Sequence, residues 1–184
     1  MPTDPIREMF GDRLYISDLP APHAGRWLTN GHVIIRQNAL RHADGLATVA
    51  YMEPGTYIGL SRTEAAPPDL ARALATSDIN HPELRRTELR HVGFGADDSF
   101  EVLVTKHSPW KCVAIAARYY KLARAAEEGG GGRFALRFQG GSDERYDWHA
   151  PVFAWSGEVL CAAFMPVKQE RFTFDGTNVI VNPW

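Results

Sequence analysis

Residues 114–127, AIAARYYKLARAAE, place Ile115, Tyr119, Leu122 and Ala126 at i, i+4, i+7 and i+11. That spacing is one apolar stripe on a 3.6-residue period, and it predicts an amphipathic helix. At about 100° per residue, Arg118, Lys121 and Arg124 fall on the opposite side. A helix with one apolar stripe has to bury it, and the rest of the chain offers mainly strands to bury it on. Four glycines, residues 129–132, follow the helix. A phosphate-binding loop needs glycines ahead of a helix N-terminus, where free N–H groups meet the anion. The order here is reversed, so the glycines read as a helix C-cap and hinge.

Short strand-like runs separated by turn residues fill most of the remaining sequence. RLYIS is one. RWLTNGHVIIRQ reads as a strand pair turning at Asn30-Gly31. LATVAYM and TYIGLSR are split by Pro54-Gly55, and RRTELRHVGFG and SFEVLVTK alternate as an antiparallel pair. RFALRFQ, APVFAWS and EVLCAAFMPV follow the glycines. RFTFDGTNVIV carries Asp-Gly between two alternating runs, the strongest hairpin signal in the chain. A second helix is expected over residues 68–76, opening on prolines and placing Leu70 and Leu74 on one side. The pattern is α+β, with two helices packed on a mostly antiparallel sheet and a C-terminal β-hairpin extension.

With 184 residues, 45% hydrophobic and 23% charged, the chain has ordinary globular composition and can bury a real core. It divides into an N-terminal arm (1–25), an α+β domain (26–168) and a hairpin tail (169–184). The formal net charge of -2 gives no global pull toward nucleic acid or membrane, so any DNA contact has to come from local patches. No apolar run reaches the roughly 20 residues of a membrane span, and the start lacks the apolar core of a secretory leader. A cytoplasmic protein is expected, with Cys112 and Cys161 as reduced core residues.

Little in the sequence carries chemistry. The seven histidines have no H-x-H or H-E-x-x-H spacing, so no metal ligand and no cofactor is assigned. No catalytic residue stands out either. The densest polar cluster is Asp143, Glu144, Asp147 and His149, in an expected loop. Carboxylates beside a histidine suit a divalent cation or acid–base work, which leaves a metal-dependent hydrolase or nuclease as an alternative. A solvated loop explains the same composition.

Two pairs of segments resemble a known family. RYYKLARAA followed by AAFMPVK is similar to the end of a bacterial-type DNA sliding clamp, whose last domain closes with a Y-L-L-x-A-L helix and a V-M-P-(M/V)-R strand. LTNGH, residues 28–32, is similar to that family's T-D-G-H-R stretch. The resemblance covers residues 66–168 and the LTNGH piece. It implies a non-enzymatic, clamp-like scaffold. Thr29, Gly31 and His32 would lie on one side, and Met165, Pro166 and Val167 on the other, of an apolar pocket for replication or repair proteins. It also implies phosphate contact, without base readout, from Arg72, Arg118, Lys121 and Arg124. The chain departs from the family in three ways. It holds about one and a half of the family's three domains, it has Val33-Ile34 where the motif continues differently, and it runs on past Met-Pro into a hairpin. A closed ring would require a homo-oligomer joined edge to edge. A clamp-shaped inhibitor that mimics the fold is a further reading.

Overall fold

A computed structural model describes residues 5–40, 49, 51–91, 99–105, 112–130, 132–138, 141–142, 145–146, 150–167, 172–174 and 179–181. In chain order the elements begin with α1 (Pro5–Phe10), β1 (Arg13–Leu19), β2 (Gly25–Thr29), β3 (Val33–Arg36) and a short 3-10 turn at Gln37–Leu40. Next come β4 (Gly55–Ile58), β5 (Ser61–Thr63), α2 (Leu70–Leu74), β6 (Leu84–His91), β7 (Phe100–Thr105), β8 (Cys112–Ala116) and α3 (Ala117–Gly130). The chain closes with β9 (Ala135–Phe138), β10 (Gly141–Ser142), β11 (Arg145–Tyr146), β12 (Val152–Ser156), β13 (Val159–Phe164), β14 (Phe172–Phe174) and β15 (Val179–Val181).

The fold is α+β. Eight strands form one antiparallel sheet in the order β5-β4-β1-β2-β3-β13-β12-β9, and β6-β7-β8 form a second, three-stranded antiparallel sheet. The sheets meet at their edges. Glu83 bridges Arg137, Phe138 N–H donates to the Pro82 carbonyl at 3.0 Å, and beyond β13 the Val167 N–H donates to Ala114 O at 2.8 Å. The expected C-terminal hairpin is present as the antiparallel pair β14–β15.

Both faces of the large sheet are covered, so its central strands are apolar on both sides. Along β12, Val152 and Ala154 face the core beneath α3, while Phe153 and Trp155 face the core beneath α2. β13 carries one extra residue: Ala154 pairs with Ala162 and Trp155 with Leu160, which leaves Cys161 unpaired between them. This bulge puts Cys161 and Ala162 together in the α3-side core, while Leu160 and Ala163 stay on the α2 side.

Helices α2 and α3 use different means to stay folded. α3 buries Tyr119, Leu122, Ala123 and Ala126, three of which the apolar stripe predicts. Five-residue α2 is too short to persist alone. The Asp69 carboxylate caps it by accepting from Arg72 N–H at 3.1 Å, and Leu70 and Leu74 seat it against Trp27, Phe153 and Ala163. Burial of each leucine contributes roughly 2 kcal/mol.

Several expectations are corrected. Ala114 and Ile115 belong to β8, where they pair with Val102 and Glu101, and α3 begins only at Ala117. Within the expected arm (1–25), the described residues from Pro5 on pack into the fold: Ile6 and Phe10 of α1 are buried in the core, and β1 pairs with both β2 and β4. Of LATVAYM, Val49 and Tyr51 form a 3-10 turn and Met52 a bend, and the rest lies outside the described residues. The described residues include a third helix, α1, whose single turn of apolar spacing, Ile6, Met9 and Phe10, is too short to stand out in the sequence.

Candidate functional site

The β2–β3 connection is built by Asn30. Its side-chain Oδ1 accepts from the backbone N–H of His32 at 3.0 Å and of Val33 at 3.2 Å, the Asx-turn pattern. Gly31 sits at φ +95°, a left-handed conformation that a glycine adopts without strain. Its N–H donates to Thr29 Oγ1 at 3.0 Å, so the buried threonine hydroxyl is engaged inside the turn. Asn30 also ties the turn to its surroundings: Nδ2 donates to Phe10 O at 3.0 Å and to the Tyr119 hydroxyl at 2.9 Å.

Met165, the first residue after β13, reaches this turn. Its N–H donates to the His32 carbonyl at 2.8 Å, so two segments distant in sequence share one rim. Between them and α2 lies a cavity of about 430 Å³. Thr29, Gly31, His32 and Met165 line it on one side, Leu70, Arg72, Ala73 and Thr76 on the other, with Ile34, Ala163 and Phe164 beneath. Its size falls within the roughly 300–1,000 Å³ of small-ligand sites, and its walls are mainly apolar with polar groups at the rim. Met165 is 43% exposed, one of the few large apolar side chains left in solvent.

Four of the six expected partner-pocket residues therefore share this cavity. The other two do not line it. The Val167 N–H bonds to β8, and its side chain packs against the Phe100, Val102, Cys112 and Ala114 cluster; Pro166 is the link that turns the chain that way. Leu70, Ala73 and Thr76 of the α2 wall were not anticipated, because nothing in the sequence of α2 indicates which end of the sheet it covers. Asn30 was anticipated only as half of a turn.

The four expected phosphate-contacting cations do not form one surface. Arg72 belongs to α2 and lines the cavity, whereas Arg118, Lys121 and Arg124 belong to α3, which packs on the opposite face of the large sheet. On α3 the cations are partly committed. The Arg118 guanidinium lies 4.7 Å from the Tyr119 ring centre and donates to its hydroxyl at 2.9 Å. Arg124 is 3.8 Å from Glu128 and 3.8 Å from Glu127. Lys121 is exposed and shares its neighbourhood with Glu101, whose carboxyl burial pushes up against the opposing pull of Arg90 and Lys121. Salt-screened surface cations beside carboxylates attract phosphate weakly.

Asp143, Glu144, Asp147 and His149 lie outside the described residues; the β10–β11 pair flanks the first two. Among the described residues no group of three or more His, Cys, Asp or Glu is placed to hold a metal ion, and no helix is long and apolar enough to cross a membrane. A second, larger opening of about 680 Å³ runs past Asp18, Arg62 and Glu64. Two of its charged groups already have partners: Asp18 pairs with Arg26 at 2.9 and 3.1 Å, and Arg62 donates to Pro54 O at 3.0 Å.

No known protein family, curated protein or solved structure matches this chain.

Proposed function

We propose that this chain is a non-enzymatic, clamp-like binding protein that takes up a short apolar peptide segment of a protein partner in the cavity between the Asn30 turn, α2 and Met165. One observation carries this reading. The Met165 N–H bond to the His32 carbonyl brings Thr29, Gly31 and His32 of LTNGH and Met165 of AAFMPVK, two segments of the clamp resemblance, to a single apolar cavity. The chemistry suits a peptide. A methionine adapts its thioether to irregular side chains, and the floor of Ile34 and Ala163 offers apolar area without a fixed shape. The Thr29 hydroxyl and the Asn30 amide hold the rim together, a use that fits binding better than bond-breaking. Under the clamp resemblance the partner belongs to the replication or repair machinery.

Selection of a displayed random-peptide library on the intact protein tests this reading. Enriched peptides should share closely spaced apolar residues and bind Met165→Asp at least about tenfold more weakly, the loss expected of a central interface contact. Met165 is exposed, so the change leaves the core intact, and an unchanged melting temperature verifies that. Enriched peptides that bind Met165→Asp as tightly as the parent would remove the cavity from the account.

A further inference from the structure

We infer that Tyr119, which does not line the cavity and is only 3% exposed, is a positioning residue for its rim, acting through Asn30 and His32. This rests on the reading of the cavity as a peptide site and adds a residue from outside it. Tyr119 sits in the first turn of α3, within the core on the far side of the large sheet from α2. It meets the rim turn twice. Its hydroxyl accepts the Asn30 amide at 2.9 Å, and its ring stacks on the His32 imidazole, with centres 6.5 Å apart and planes 22° from parallel.

Asn30 is the pivot of that turn. With Nδ2 held by Tyr119 and by the Phe10 carbonyl, its Oδ1 is aimed at the N–H groups of His32 and Val33. Swapping the two ends of the amide would put a donor against two N–H groups, so the Tyr119 hydroxyl helps to choose the orientation that supports the turn. The stacked ring gives His32 a flat backing. Because the His32 carbonyl accepts from Met165, the position of this turn is passed to Met165 along the same rim of the cavity. Arg118 donates to the same hydroxyl, so α3 holds the oxygen from its own side as well. A rim held in its bound shape loses less freedom when a peptide docks, and this preorganisation is a direct source of affinity.

The test uses the full chain with Tyr119→Phe, which keeps the ring and removes the hydroxyl, and Tyr119→Leu, which removes both contacts. In the peptide-free protein, the amide NMR signals of Gly31 and His32 should shift or broaden in Tyr119→Phe, while those of the distant β6–β7 pair stay in place. Peptides from the selection above should bind Tyr119→Phe about fivefold more weakly and Tyr119→Leu more weakly still, the loss falling on residence time. In an Asn30→Ala background, Tyr119→Phe should cause no further loss of affinity, whereas general loosening of the core would add to it. Unchanged Gly31 and His32 signals in Tyr119→Phe would overturn the inference, whatever binds the cavity. Shifted signals with no selectable peptide would uphold the role of Tyr119 in the turn and sink the peptide reading instead.

Discussion

The guanidinium of Arg86 on β6 and the carboxylate of Glu127 on α3 form a two-pronged ion pair, with side chains 8% and 6% exposed. The pair also closes the glycine-rich connection after α3. Glu127 Oε1 accepts from Phe134 N–H at 2.7 Å, and Arg86 Nη2 donates to Phe134 O at 3.1 Å, so one backbone unit is gripped from both sides. The Arg86 guanidinium also lies 5.6 Å from the Tyr120 ring centre. The pair thus anchors the chain where it leaves the glycines and enters β9.

Removing one partner leaves the other charge buried. Glu127→Ala is expected to lower unfolding free energy by roughly 3–5 kcal/mol, while the paired replacement Arg86→Met with Glu127→Leu should cost clearly less than the sum of the single changes. Denaturant unfolding of the parent, Glu127→Ala, the two single replacements and the paired variant measures this. Additive losses would mean that the pair does not act as a unit.

Glu101 supplies a pH dependence. Burial raises its carboxyl above the ordinary value of 4.5, against the opposing pull of Arg90 and Lys121. A raised folded-state value means that the folded chain holds the proton more tightly, so this group favours the fold at low pH. That advantage is lost as pH rises from 4.5 through the raised value. Glu101→Gln should therefore match the parent in stability well below 4.5 and exceed it at neutral pH. Because the carboxyl is largely solvated, the gain should stay under about 1 kcal/mol. Equal stabilities at both ends of the range would contradict the assignment.

The two thiols are expected to be inert in the folded protein. Burial pushes Cys112 up to about 12 and raises Cys161 as well, and both side chains are buried, so neither forms much thiolate near neutral pH. A chromogenic disulfide reagent should label neither thiol in the native state and both after unfolding. Fast native labelling would show that one of them is accessible.

Much of the fold is legible in local sequence, because strands and turns are local signals. Asn30-Gly31 marks a turn through its own side-chain chemistry, and the flanking runs pair as their alternation suggests. Helix α3 is legible in its interior but not at its start. Ala114 and Ile115 suit a helix by propensity and by period, yet pairing with Val102 and Glu101 keeps them in β8. Tertiary pairing overrides propensity where an edge needs a strand. The Arg86–Glu127 pair joins residues 41 apart, and no local pattern announces it. For the cavity, the resemblance pointed to Thr29, Gly31, His32 and Met165. It gave no indication that α2 supplies the facing wall, or that Arg72 belongs there rather than beside Arg118. That depends on which sheet face each helix covers, a choice made by Trp27, Phe153 and Ala163 on one side and Leu28, Ile35 and Phe164 on the other.

The central claim is that an apolar peptide docks against Met165. The chain has four methionines, and Met9 and Met52 pack partly buried against the α3-side core, away from the cavity. Methyl-labelled methionine therefore gives a small set of NMR signals that can be read one by one as a selected peptide is added. The Met165 methyl signal should move with peptide concentration and saturate, while those of Met9 and Met52 stay in place. Saturable binding with the Met165 signal unmoved would contradict the account.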